Sequence, residues 1–183
     1  MTAKQQEVVA LKSRTLCLGS GNKKRDDAVN VDIVSSTHPD ICHNLNQLPW
    51  PLPSDHFEEC HAYDVVEHLE DIVKTMEEIH RVCRNGAVVR ITVPHFSCAN
   101  AFRDPTHRHY FSALSLSYFT GEHEFSFYTD RRFKGRVSQI VFASTLLNKI
   151  IHRLANRFPE EYERRWAWIF PAWFLYFELE VVK

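Results

Sequence analysis

No sign of charge dominates this chain of 183 residues: 22 Lys and Arg against 23 Asp and Glu leave a net charge of −1. Without a chain-wide field to recruit it, nucleic acid is not an expected partner, and neither is an anionic lipid surface. Paired cysteines are also missing. Cys17, Cys42, Cys60, Cys83 and Cys98 are odd in number, widely spaced and never Cys-x-x-Cys. That excludes a disulfide framework and a structural zinc pattern, and suits spare thiols in a reducing compartment. Met1 to Ser13 holds no apolar core of signal-peptide length. The longest uncharged, mostly apolar run, Trp166 to Phe177, is 12 residues with Pro171 inside it, too short to span a bilayer. The expectation is a cytoplasmic protein without an integral membrane segment. Its 44% hydrophobic content suffices for the core of one domain, residues 1–183.

What is present starts with Leu16-Cys17-Leu18-Gly19-Ser20-Gly21, followed by Val29-Asn30-Val31-Asp32-Ile33. A strand ending in Gly-x-Gly turns sharply and lets a ligand approach bare backbone. A carboxylate closing the next strand can accept hydrogen bonds from both hydroxyls of a ribose. Gly-x-Gly alone is equally an ordinary strand-ending turn. Only seven residues, Asn22 to Ala28, separate the two segments, whereas a parallel crossover usually takes a dozen or more. The first crossover helix is therefore expected to be nearly deleted. The sheet face it would cover then needs another cover: the aromatic segment, the helix before it, or a second subunit in a homo-oligomer.

Further strands are expected at Ile41–Leu45, Phe57–Tyr63 and Ala87–Val93, with Trp50 held in a rigid proline-rich loop at Leu48–Pro53. Val65, Val66, Leu69, Ile72, Val73, Met76, Ile79 and Val82 recur at spacings of three and four, predicting a helix from Val65 to about Arg84. Asp64 would be its N-cap, Glu67 its capping-box partner and Asn85-Gly86 its left-handed end. Past Pro94, a short helix is expected at Leu114–Phe119, with strand material at Phe125–Phe127 and Arg136–Phe142. An amphipathic helix is expected within Val141–Phe158, and Leu175–Val182 as a final antiparallel strand. Residues 143–183 thus supply a helical, aromatic cover and the last strand. Residues 131–165 hold nine Lys or Arg against three Glu, readable as a solvated face or as a surface for an anionic partner.

Five motifs in order carry a resemblance: Asp55-His56-Phe57-Glu58-Glu59, Val66-Glu67-His68-Leu69, Glu78-Ile79-His80-Arg81-Val82, Asn85-Gly86 and Ile91-Thr92-Val93-Pro94. Over Thr15 to His95, about half the chain, the sequence resembles class I S-adenosylmethionine-dependent methyltransferases of the small-molecule, type 11 kind. It departs from them by Arg84-Asn85-Gly86-Ala87 in place of Lys-Pro-Gly-Gly, and by the short first crossover. The resemblance implies a Rossmann-like α/β fold with a mixed, mostly parallel seven-stranded sheet, S-adenosyl-L-methionine as cofactor, and O- or N-methylation of a small-molecule acceptor. It implies cofactor binding by Leu18, Gly19, Ser20, Gly21, Asp32, Asn44, Leu45 and His68, with Gly19 and Gly21 meeting the methionine moiety, Asp32 holding the ribose and Asn44 facing the adenine edge. Tyr63 and Asp64, also among the cofactor-binding residues, would lie near the methyl group; Asp64 and Glu67 are equally readable as helix-capping residues.

His95 and the run Asp104-Pro105-Thr106-His107 follow the fifth strand, where loops roof the site in such a fold. An ordinary imidazole, with a pKa of about 6.5, suits a general base. His107 is the expected base, with Asp104 orienting an imidazole and His95 as the second candidate. His95, Asp104 and His107 also have the residue types of a metal set, but their spacing supports no metal assignment. Two other functions stay open: an inactive methyltransferase-like protein binding a nucleoside or a partner, and a peripheral membrane protein docked through the aromatic, arginine-flanked C-terminal segment.

Overall fold

The computed structural model describes residues 13–121, 127 and 129–183. The expected N-terminal arm (through residue 12) and most of the expected Phe125–Phe127 strand lie outside the described residues. β1 (Thr15–Leu18), β2 (Val29–Asp32), β3 (Ile41–Cys42), β4 (Phe57–Tyr63), β5 (Cys83–Pro94), β6 (Arg132–Val141) and β7 (Phe174–Val182) form one seven-stranded sheet. The order is β3-β2-β1-β4-β5-β7-β6. The first five strands pair parallel and β7 runs antiparallel between β5 and β6. The expected fold class is the observed one. The last strand does not finish the sheet at its rim, however: it is the penultimate strand, and β6 is the edge.

No helix stands between β1 and β2, as the seven-residue connection requires. The face left without that helix is largely polar, and Cys17, Asn30 and His61 on it are buried. Along β4, β5 and β7, Cys60, Ala62, Val89, Ile91, Leu175, Phe177 and Leu179 point into the core, while the alternate positions carry Glu59, His61, Arg90, Tyr176 and Glu178. These hold one another: Arg90 pairs with Glu59 at 2.9 Å and Glu178 at 3.2 Å, and Arg136 on β6 pairs with Glu178 and Glu180. Polar groups satisfied in this way tolerate water where an apolar face would not. The same ladder neutralises Arg136, and Glu161 pairs with both Arg164 and Arg165. Part of the basic excess over 131–165 is thus a solvated, internally paired face.

The expected long helix is shorter. A 3-10 turn, Val66–His68, comes first, and α1 spans Ile72–Val82 with Asp71 as its N-cap, Oδ1 accepting from the Lys74 amide at 2.9 Å. Asp64 is not a cap. The Glu67 carbonyl, which a longer helix would use internally, accepts instead from the amides of Arg108 and His109 at 2.8 and 3.2 Å. Met76, Ile79 and Val82 still lie on the sheet. Val82 is the last helical residue, and Gly86 (φ 79°) serves instead in a bulge of β5, where Phe57 and Glu59 face Cys83 and Val88. The Glu-x-x-Arg helix end is a clamp. Glu78 binds the Arg81 guanidinium at 2.6 and 2.9 Å and accepts the Trp50 amide at 2.6 Å, while Arg81 reaches the carbonyls of Leu52 and Trp50. The proline-rich loop is thereby fixed, with the Trp50 indole donating to the Leu45 carbonyl at 3.0 Å.

Beyond β5 come the short helix α2 (Asn100–Arg103) and a 3-10 segment at Ser115–Phe119. α3 (Leu146–Arg157) is capped by Thr145, and α4 (Pro159–Arg165) follows it directly. Asn156 of α3 bonds both backbone groups of Ile140 at 2.8 Å, which fastens this helix pair to β6.

Candidate active site

The order of progression reverses between β1 and β4, and at such a switch point the carboxyl ends of parallel strands leave a crevice. Here it is a cleft of about 880 Å³. Gly19 after β1, Asp32 ending β2, Asn44 and Leu45 after β3, and Asp64 and Val65 after β4 all line it. Gly19 has φ 61°, and a Cβ on it would lie 2.5 Å from Val65 Cγ2, so both its conformation and its neighbour require glycine. The Asp32 carboxylate is buried and accepts the Gly21 amide on Oδ2 at 2.7 Å and the Val34 amide on Oδ1 at 2.8 Å. Each oxygen keeps a further lone pair for a ligand hydroxyl. Directly after it, Ile33 and Val34 are exposed apolar side chains on the cleft wall, an edge suited to a flat heterocycle. Asp64 holds φ 54° and is fixed by its amide to the Thr92 carbonyl at 2.9 Å and by Thr92 Oγ1 to its Oδ1 at 3.1 Å. A non-glycine residue in the left-handed region, braced in this way, is backbone strain kept at the cleft floor.

Of the ten residues expected to hold a cofactor, Gly19, Asp32, Asn44, Leu45, Asp64 and His68 line this cleft. Leu18 is in the core, and Ser20 and Gly21 form the turn behind Gly19. Tyr63 is a correction: its hydroxyl bonds His61 Nδ1 at 2.8 Å on the polar face, because side chains alternate along β4 and Tyr63 points away from the crevice.

A second cleft of about 760 Å³ adjoins the first and shares Asp64, His68 and Pro105 with it. Glu67, Asp104, His107, Trp173 and Phe174 are among the residues that line it. The expected role of His95 does not hold. Its ring is fully buried, bonded to Ser97 Oγ at 2.8 Å and Glu163 Oε1 at 3.2 Å, and lines neither cleft. Its amide bonds the Trp173 carbonyl at 3.3 Å, which turns the residue inward as β5 ends.

His107 does face the second cleft, but Asp104 is not its partner. His107 Nδ1 bonds the Ala101 carbonyl at 3.0 Å. Asp104 Oδ1 accepts Thr106 Oγ1 at 2.6 Å, and Thr106 Oγ1 bonds His68 Nδ1 at 2.9 Å. Asp104 therefore orients His68, through the threonine. The bonds to Thr106 hold the Asp104 carboxyl below its usual range, and burial pushes the His68 imidazole down. The residue the sequence left as a capping partner is the most unusual of all. Glu67 is 1% exposed, and among the described residues neither of its carboxylate oxygens has a hydrogen-bond partner. Burial raises its pKa to about 8. Glu67, His68 and His107 present ligand atoms within 4.8 Å of one another. The adjacent Glu67-His68 pair was visible in sequence; its meeting with His107, 39 positions on, was not.

The model of a methyltransferase domain family matches residues 17–91. Among solved structures, the chain is similar to a SAM-dependent methyltransferase from Archaeoglobus fulgidus at 15% identity and TM-score 0.61, covering 96% of this chain and 94% of that one. It is similar to an S-adenosylmethionine-dependent methyltransferase from Mesorhizobium loti at 13% identity and TM-score 0.59, covering 98% of each. It is also similar to a 16S rRNA (adenine(1408)-N(1))-methyltransferase from Catenulisporales acidiphilia, a mutant with its cosubstrate SAM, at 12% identity and TM-score 0.57, covering 100% and 92%. No curated protein matches the chain. Fold and cleft define the class I methyltransferase architecture. Residues 17–91 match a methyltransferase domain, and the solved structures similar to the chain share its fold. No helix among the described residues is long and apolar enough to cross a membrane.

Proposed function

We propose that the chain transfers the methyl group of S-adenosylmethionine to the oxygen or nitrogen of a small acceptor held in the second cleft. The observation carrying this is the common wall of the two clefts at Asp64, His68 and Pro105. A cofactor lying in the first cleft, ribose on Asp32 and adenine along Ile33, Val34, Asn44 and Leu45, brings its reactive end to that wall. The sulfonium supplies an electrophilic methyl group; the protein's work is to align the acceptor and manage its proton. His107 is the acceptor-side group, with Nδ1 engaged by a carbonyl and Nε2 left to the cleft. A volume of about 760 Å³ is the size of a small-molecule site, and the near-neutral chain offers no field for nucleic acid. The test is turnover of S-adenosylmethionine to S-adenosylhomocysteine across a panel of hydroxyl- and amine-bearing metabolites. A productive acceptor should lose its turnover by about 10²-fold or more in His107→Gln, with cofactor affinity within a factor of about two. Cofactor binding without turnover on any acceptor, or wild-type turnover in His107→Gln, contradicts the reading.

A further inference from the structure

We propose that Glu67, His68 and His107 form a binding site for a zinc-class divalent cation, with its open positions toward the second cleft. This deepens the acceptor side of the function proposed above, although the site itself is defined by three side chains independently of any acceptor. The hydrogen bonds fix the chemistry of both rings. A carbonyl only accepts, so His107 Nδ1 carries the proton it gives to Ala101. The Asp104 carboxylate takes the Thr106 hydroxyl proton, so Thr106 Oγ1 must accept, and His68 Nδ1 carries the proton it gives to Thr106. In its neutral form each imidazole is therefore left with an Nε2 lone pair, with Nδ1 held by the kind of outer partner that metal-ligating histidines use. The third member is a buried carboxylate with two unpartnered oxygens, an arrangement that a cation would satisfy and that water-exposed acidic clusters do not show.

The distances agree. His107 Nε2 lies 3.9 Å from Glu67 Oε1, too far for a hydrogen bond. Three atoms mutually within 4.8 Å have a common point no more than about 2.8 Å from each. Bonds of about 2.1 Å to nitrogen and carboxylate oxygen then need movements of about 0.7 Å, within the reach of small side-chain rotations. Two imidazoles and a carboxylate suit zinc and its neighbours over calcium or magnesium. Three protein ligands leave positions for an acceptor oxygen or nitrogen, which the cation would orient and acidify.

The experiment uses the full chain stripped of metal, titrated with zinc by calorimetry and with cobalt(II) by visible absorption, alongside S-adenosylhomocysteine binding. One zinc per chain and a cobalt ligand-field band are expected. Glu67→Gln, His68→Gln and His107→Gln should each weaken zinc by about 10²-fold or more. Thr106→Val, which removes only the outer partner of His68, should weaken it by about 10- to 100-fold. His38→Asn, at an exposed histidine remote in sequence from the set, should leave it unchanged. No zinc uptake, or uptake that these four substitutions leave unchanged, overturns the site. If S-adenosylhomocysteine still binds in that case, the cofactor cleft stands and the metal assignment alone has failed; zinc uptake without S-adenosylhomocysteine binding would have the opposite meaning.

Discussion

The Gly21 amide donates to Asp32 Oδ2 at 2.7 Å, so the turn after β1 is tied to the end of β2 by the side chain proposed to hold the cofactor ribose. One carboxylate thus shapes the turn and offers its remaining lone pairs to the cleft. Replacing Asp32 by Ala removes both functions, and losing charge-assisted hydrogen bonds of this kind costs about 2–3 kcal/mol. Calorimetry should show S-adenosylhomocysteine affinity falling by about 30-fold or more in Asp32→Ala and by less in Asp32→Asn, which keeps one acceptor oxygen. Equal affinity in Asp32→Ala and wild type would remove Asp32 from the cofactor site.

Gly19→Ala meets two separate obstacles. The left-handed φ of 61° is one, and the contact with Val65 is the other. Together they should lower stability by about 2–4 kcal/mol in denaturant melts. The double change Gly19→Ala with Val65→Ala removes the contact but not the strain, and should recover only part of the loss. Complete recovery would show that φ is relaxed in solution.

Glu67 gives stability a pH dependence of definite sign. Its folded pKa of about 8 lies above the ordinary 4.5, so between these values the folded protein keeps a proton that the unfolded chain releases. The stabilisation is full below 4.5 and is lost as pH rises toward 8, by at most about 1.4 kcal/mol per pH unit. In metal-free protein, Glu67→Gln should match wild type near pH 4.5 and exceed its melting temperature increasingly up to pH 8. A difference that is flat with pH would show that the carboxyl is not held protonated.

Truncation after Phe158 removes β7, which lies between β5 and β6. The loss leaves β6 without its sheet neighbour and β5 with β4 alone, and uncovers Ile91, Val93, Phe133 and Ile140. No cooperative unfolding transition is expected from residues 1–158 by circular dichroism. A truncated chain that melts cooperatively as a monomer would contradict it.

The parallel half of the sheet was legible because each strand is a short apolar run with a defined stop, such as Gly19 after Leu18 or Pro94 after Val93. The start of α1 was not, since Asp64…Glu67 and Asp71…Lys74 are both acceptable caps. Only the strained φ of Asp64 and the capture of the Glu67 carbonyl by Arg108 and His109 decide between them. Following β5 placed His95 near the site by sequence, but the Trp173 carbonyl, 78 positions away, turns it into the core. Which imidazole Asp104 orients is not legible in sequence, because hydrogen-bond routing through Thr106 to His68 leaves no trace in spacing. Ile33 and Val34 were readable and overlooked: an apolar pair after a strand-ending carboxylate is a signal for a flat ligand. Glu67 became unusual only through depth, which its motif does not express.

The two clefts adjoin at Asp64, His68 and Pro105, which line both. With cofactor and acceptor in separate adjoining clefts, as proposed, neither needs to bind first. Kinetically, that geometry corresponds to a random-order bireactant scheme. S-adenosylhomocysteine would then compete with S-adenosylmethionine alone, and a saturating acceptor would leave its inhibition intact.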